Sequence, residues 1–313
     1  MKKFILFFIL LLFISACTNQ NKNDYKIIDV HEHLQDEKNA YKLLYGMEKN
    51  SIDKTVLLGT SDETFYLDGR DFVGYDKNNE EIIKIQEKYP DKLIAFCTLN
   101  PDDPEKLEKL KKCHKNGAKG LKLYSGHSHF YTIPLNDSSM YPVYQYLQDN
   151  NIPIVWHVNL FTYYYEFEQV LNNFPNLIVD CPHFCLSLYN LYILGDFFDR
   201  YPNLYIDISL GGNEDNPYAT QGWEIVDERL DTTKEFFIKY QDRILYGFDD
   251  VVTSHPTKTK ERVAEIGRCY RDFLEKDKFE CKRFKSKTKG LNLSPEILKK
   301  IYEDNPKRFL GRK

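Results

Sequence analysis

The chain has no apolar run long enough to cross a bilayer. The longest, FILFFILLLFI (Phe4–Ile14), falls well short of a hydrocarbon core about 30 Å thick at about 1.5 Å per residue. Positive charge is not in excess either: 43 Lys and Arg face 47 Asp and Glu, a net charge of −4, which excludes the electrostatic footprint of a nucleic-acid binder. No glycine-rich phosphate loop follows an apolar run, which argues against an open nucleotide-binding sheet. None of the seven cysteines has C-x-x-C spacing, so a paired-cysteine metal site is excluded. No linker divides the 313 residues into two domains.

What is present starts with a leader. Lys2, Lys3, the apolar run and the small residues Ser15 and Ala16 have the form of a secretory signal. The stretch Ile14-Ser15-Ala16-Cys17 resembles a bacterial lipobox, whose cysteine becomes the lipid-modified first residue. The expected organisation is a signal peptide over 1–16, lipidation at Cys17, a polar tether over 17–24 and one domain over 25–313. Lipid chains would then hold the protein on a membrane, outside the cytoplasm in the cell envelope. Ordinary secretory cleavage with Cys17 incidental is the alternative. Cys97, Cys113, Cys181, Cys185, Cys269 and Cys281 follow, and export would let them pair, in a connectivity that spacing does not reveal.

Eight short apolar runs punctuate the remainder. They are YKIIDVH (25–31), KTVLLG (54–59), KLIAFCTL (92–99), AKGLKLY (118–124), IPIVWH (152–157), NLIVDCPH (176–183), NLYIDISL (203–210) and RILYGFD (243–249). Amphipathic stretches separate them, such as 79–90, 104–117, 140–151 and 167–175. Strands alternating with helices imply βαβ units and a parallel sheet, and eight units predict a single-domain (β/α)8 TIM barrel. A doubly wound open sheet is the runner-up. The long connections 60–78, 124–139 and 211–230 would lie at the C-terminal face, where barrels build their sites. The sequence also predicts a final helix over 294–311 on the barrel's outside and a solvated basic loop over 276–289.

Within this pattern, IIDVHEHL (27–34) is unusual. Strict alternation puts Asp29, His31 and His33 on one face of a strand, where unpaired burial would cost several kcal/mol. Four strand ends carry such groups: His31 and His33 on the first run, His157 on the fifth, His183 on the sixth and Asp249 on the eighth. A barrel makes those ends converge. Three imidazoles and a carboxylate suit a catalytic divalent ion, and Asp29, one step deeper, would orient a ligand.

DVHEH, the strand-end histidines, LYGFDD and phrases such as KYPDKLIAFCTLNPDDPE, GAKGLKLY and IYEDNPKRFLG resemble the amidohydrolase superfamily, in its amidohydrolase-related branch, over nearly the whole mature chain. That branch holds hydrolases and single-metal decarboxylases. The resemblance implies His31, His33, His157 and Asp249 as metal ligands and His183 as the base beside the attacking water. It implies a double role for Asp249, which also handles the nucleophile's proton. It implies one divalent ion, zinc with manganese as the alternative, and homodimers. A second metal bridged by a carboxylated Lys122 is not expected. Lys122, Arg70 and His127 are candidates for substrate contact, with plain structural or exposed roles as the alternative; His127 and His129 lie in a loop, His255 is within reach of the rim, and His114 should face solvent. Tyr163, Tyr164, Tyr165, Phe130, Tyr131 and Trp223 are candidates for the mouth or for plain packing. The function expected is metal-dependent hydrolysis of a small-molecule amide, lactone or ester. The alternatives are non-oxidative decarboxylation and a non-catalytic, surface-anchored binding protein.

Overall fold

The computed structural model describes residues 25–66, 71–210, 217–281, 283 and 286–311. The leader, Cys17, the tether and Arg70 lie outside the described residues.

Each of the eight apolar runs contains a strand, and the strands form one parallel sheet. The first half comprises β1 (Ile27–Leu34), α1 (Ala40–Lys49), β2 (Ile52–Leu58), α2 (Asp62–Tyr66), α3 (Tyr75–Lys88), β3 (Leu93–Thr98), α4 (Lys106–Lys115), β4 (Gly120–Gly126) and α5 (Tyr141–Asp149). The second half comprises β5 (Ile154–Val158), α6 (Tyr164–Asn173), β6 (Val179–Asp180), α7 (Leu191–Arg200), β7 (Leu204–Asp207), α8 (Pro217–Glu228), α9 (Leu230–Lys239), β8 (Ile244–Leu245), β9 (Asp250–Val252) and α10 (Lys260–Glu275). A hairpin, β10 (Lys278–Cys281) and β11 (Ser286–Lys289), precedes α11 (Pro295–Lys299) and α12 (Asn305–Phe309).

The strand order β8-β7-β6-β5-β4-β3-β2-β1-β9 closes the barrel, because β8 and β9 are two pieces of one eighth strand. Between them the chain stays on β1: Val30 N–H donates to Tyr246 O at 2.9 Å and Asp249 N–H to His31 O at 2.9 Å. The single-domain TIM barrel predicted from the sequence is the fold observed.

Helices cover the outside for the reason their patterns imply. In α10, Val263, Ile266, Tyr270, Phe273 and Leu274 are buried at spacings of three and four, and Thr259 caps the first turn by accepting from Arg262 N–H. The barrel interior is apolar towards the strand starts, where Val30, Val56, Ile94, Phe96 and Leu245 pack together. Phe309 joins them, 6.2 Å from the Phe96 ring and 5.9 Å from Tyr205. The final helical segment is therefore not confined to the outside as expected: its last turn plugs the barrel floor. The stretch 276–289 differs too. Lys278–Cys281 and Ser286–Lys289 pair as an antiparallel hairpin rather than a solvated loop, with Phe279 and Cys281 buried. Three disulfides, Cys97–Cys113, Cys181–Cys185 and Cys269–Cys281, supply the connectivity that spacing withheld.

One irregularity in β1 prepares the site. Asp29 pairs with Thr55, but Glu32 pairs with Leu57, so β1 carries one extra residue between them. Such a bulge reverses the alternation that follows it. Ile28 and Val30 face the interior, so Asp29 points outward before the bulge, and His31 and His33 turn inward after it. The expectation that all three share one face is corrected by that extra residue.

Candidate metal centre

His31, His33 and Asp249 come together at the C-terminal mouth. One ligand atom from each lies within 4.8 Å of the others. Asp249 Oδ1 is 3.2 Å from both His31 Nε2 and His33 Nε2. Asp249 itself has φ 53°, a left-handed conformation that aspartate tolerates better than most residues and that swings its carboxylate across the opening. Gly247 lets the strand approach: a Cβ there would meet His31 Cβ at 2.9 Å.

The imidazoles are held from behind, and the hydrogen bonds fix their tautomers. Asp207 Oδ2 is 2.6 Å from His31 Nδ1, which must donate to a carboxylate. Thr60 Oγ1 donates to Leu58 O at 2.8 Å, so it accepts from His33 Nδ1–H at 2.6 Å. Ser209 Oγ donates to Asp207 Oδ1 at 2.5 Å and accepts from His183 Nδ1–H at 2.8 Å. All three rings therefore present an unprotonated Nε2 edge towards Asp249 once His31 gives up its second proton. His183 Nε2 lies 3.8 Å from the other carboxylate oxygen, Oδ2.

Asp207 organises this arrangement, although it is not among the residues expected from the sequence. It holds the His31 ring, and it also accepts the backbone N–H of His183 at 3.1 Å. Its one signal is a lone acid inside the apolar run NLYIDISL. Asp29, expected to orient a ligand, accepts the backbone N–H of His31 at 3.1 Å instead. On the helix side of β1, burial pushes its carboxyl up to about 8.

His157 stands just beside the group. Its ring centroid is 4.8 Å from His183 and 4.6 Å from His127, and its Nε2 is buried with no hydrogen-bond partner. His127 follows Gly126 directly, so it sits at the end of β4 rather than out in a loop as expected. Lys122 Nζ, also buried, is 3.3 Å from His31 Nε2. The remaining histidines lie apart. His129 is 3.5 Å from Glu63, His255 bonds Thr257 at 2.9 Å, and His114 is half-buried against Tyr146 at 2.9 Å rather than facing solvent freely. Phe72, Tyr124 and Phe130 line a cavity of about 390 Å3 beside the centre, together with Asp71 and Asp102. Tyr163 stacks on Tyr131 at 4.5 Å. Tyr165 is exposed, whereas Trp223 is buried and packs against Tyr270 and Phe279.

The electrostatics favour a cation. Burial and Lys122 both oppose charge on His31, yet Asp249 and Asp207 outweigh them and lift its imidazole to about 9. Burial opposes charge on Asp249 and Asp207 as well, but the facing imidazoles keep both carboxylates ionised. Burial lowers His33 to about 4 and keeps His157 and His183 neutral. Burial also brings Lys122 down to about 8. In the ion-free protein a proton on His31 thus occupies the place where a metal would put its charge. Nitrogen and carboxylate donors, together with the orphaned His157 Nε2, fit a divalent ion.

The backbone at His183 is unusual. His183, Phe184, Cys185 and Leu186 have φ of 59°, 55°, 56° and 52°, four successive left-handed residues without a glycine. Each costs roughly 1–2 kcal/mol, so local restraints must hold the turn. Phe184 is buried against Phe237, Leu160 N–H donates to Cys185 O at 3.1 Å, and the Cys181–Cys185 disulfide spans the segment.

The chain belongs to the amidohydrolase family, whose model matches residues 28–312. Solved structures share the fold at low identity. A TIM-barrel protein of Bordetella bronchiseptica is 18% identical with a TM-score of 0.58, covering 91% of this chain and 98% of that one. A 4-oxalomesaconate hydratase of Rhodopseudomonas palustris is 17% identical with a TM-score of 0.57, covering 91% and 96%. A 5-carboxyvanillate decarboxylase of Novosphingobium aromaticivorans, solved with manganese and 4-hydroxy-3-methoxy-5-nitrobenzoic acid, is 16% identical with a TM-score of 0.55, covering 93% and 97%. Among curated protein sequences none matches.

Proposed function

We propose that the protein is a metal-dependent hydrolase of a small-molecule ester, lactone or amide. The observation that carries this reading is the disposition around Asp249. One carboxylate oxygen faces His31 and His33, and the other faces His183. His31, His33, His157 and Asp249 would hold one divalent ion, zinc or manganese by donor type. Such an ion supplies the charge that polarises a scissile carbonyl and acidifies a water.

The chain's own groups supply the remainder. His183 presents a neutral Nε2 beside Asp249 and takes the water's proton there, while Ser209 and Asp207 fix its ring. Asp249 Oδ2 steadies the imidazolium that results. The cavity beside Tyr124 receives the substrate, with Phe72 and Phe130 as apolar walls and Asn100 and Ser125 as polar ones. Decarboxylation is the second reading, favoured by the buried Lys122 amine next to His31, which would bind a substrate carboxylate. The three disulfides support an extracytoplasmic setting, in line with lipid anchoring at Cys17.

The test is elemental analysis of the full chain purified without chelator, followed by assay against lactones, esters and amides and, for carbon dioxide release, against aromatic carboxylic acids. One tightly held ion with hydrolysis supports the proposal. Carbon dioxide release alone moves the assignment to a decarboxylase, and no ion after reconstitution overturns both. His157→Ala should lose ion and turnover together. His183→Ala should keep the ion and lose turnover about 10²-fold or more.

A further inference from the structure

We propose that the Cys181–Cys185 disulfide is a positioning element for His183, holding residues 183–186 in the left-handed turn that sets its imidazole against Asp249. The kinetic consequence rests on the hydrolytic reading above; the conformational one does not.

The backbone poses the problem. Four successive residues with side chains occupy a conformation that L-residues avoid, and an unrestrained segment would relax to right-handed backbone. That relaxation would turn the Cα–Cβ direction of His183 away from the centre. It would separate His183 N–H from Asp207 Oδ1, now 3.1 Å away, and Nδ1 from Ser209 Oγ, now 2.8 Å away.

The disulfide answers it. Its two cysteines are four residues apart in sequence with Cα atoms 5.0 Å apart, and His183 is the middle residue of the ring they close. Pro182, at φ −62°, stiffens the entry to that ring. A cross-link over so short a loop removes less chain entropy than one over a longer loop, because that contribution grows with loop length. The bonds spanning 16 and 12 residues are better placed to stabilise the whole chain. Both cysteines of the short ring are fully buried beside the site, so the bond's effect falls on local geometry.

The test uses the full chain carrying C181S and C185S together, and the same variant with L186G added. Leu186 is 42% exposed at φ 52°, so glycine there relieves the backbone without opening the core. Three quantities are read: bound metal by elemental analysis, kcat and KM, and amide hydrogen exchange of peptides covering 181–190. The double variant should keep its ion, lose about 10- to 100-fold in kcat with KM nearly unchanged, and exchange faster only across this turn. L186G should restore part of both losses and, alone, leave activity as in the wild type. Unchanged exchange and kcat in the double variant would overturn the proposal. So would a general loss of metal and of protection throughout the chain, which would mark the bond as a global staple. If the wild-type protein binds metal but hydrolyses nothing, the hydrolytic reading fails by itself. The exchange measurement then decides the positioning claim: local loosening rescued by L186G upholds it, and no loosening sinks it.

Discussion

Asp207 is the residue on which most of the site depends, since one carboxylate holds His31 through Oδ2 and the Ser209–His183 pair through Oδ1. Asp207→Asn keeps the shape but removes the charge and one acceptor. Metal affinity should fall about 10- to 100-fold, as read by competition with a chromogenic chelator. Proton release provides a second check. His31 keeps its proton up to pH about 9 in the ion-free protein, and a cation at Nε2 requires its loss. His33 and His157 are already neutral near pH 7 and Asp249 is already ionised, so at least the His31 proton leaves per ion, and the neighbouring Lys122, brought down to about 8, can only add to that release. Affinity should therefore climb at least about tenfold per pH unit between about 6 and 8, and a flat profile would remove His31 from the ligand set. Much of this site is legible in the sequence. His31, His33, His157, His183 and Asp249 stand out because a polar group at the end of an apolar run is costly to bury unless it meets a partner or an ion. Asp207 does not, because its partner His31 lies 176 residues away in sequence and nothing local marks the pair.

At the scale of elements, the strands are readable from their apolar runs, but features set by neighbouring strands are not. The extra residue in β1 exists only relative to β2, so IIDVHEHL by itself carries no sign that Asp29 turns outward. The place of His127 is hidden for a related reason: β4 continues to Gly126, two residues past the end of its apolar run, because Gly126 pairs with Val158 on β5. The C-terminal segment shows the same dependence. Phe309 looks like any helix residue until the barrel floor is present to receive it. Phe309→Ala should cost about 3–5 kcal/mol in urea unfolding, as truncation of a buried aromatic does, while metal stoichiometry stays unchanged because the floor and the mouth are at opposite ends.

For the molecule as a whole, the disulfides divide into kinds. Cys97–Cys113 ties β3 to α4 and Cys269–Cys281 ties α10 to the hairpin, both on the helix side of the sheet. Replacing Cys97 and Cys113 by serine should lower stability by about 2–4 kcal/mol in thermal or denaturant unfolding, with turnover per folded molecule retained. Retained stability would mean that the unfolded chain gains nothing from losing this bond.

The closure of the barrel has a temporal consequence. Glu32 and Asp250, the paired neighbours of His31, His33 and Asp249, are separated by 218 positions along the chain. Contacts between segments so distant in sequence form late, after the loop-closure entropy has been met. The first half of the site therefore waits: His31 and His33 lie on the first strand, and Asp249 joins them only once the eighth strand closes the sheet. A chain lacking the last strand would have His31 and His33 but no Asp249 carboxylate beside them. Assembly of the candidate metal centre is thus tied to the eighth strand, and a chain cut short before it cannot bring Asp249 to His31 and His33.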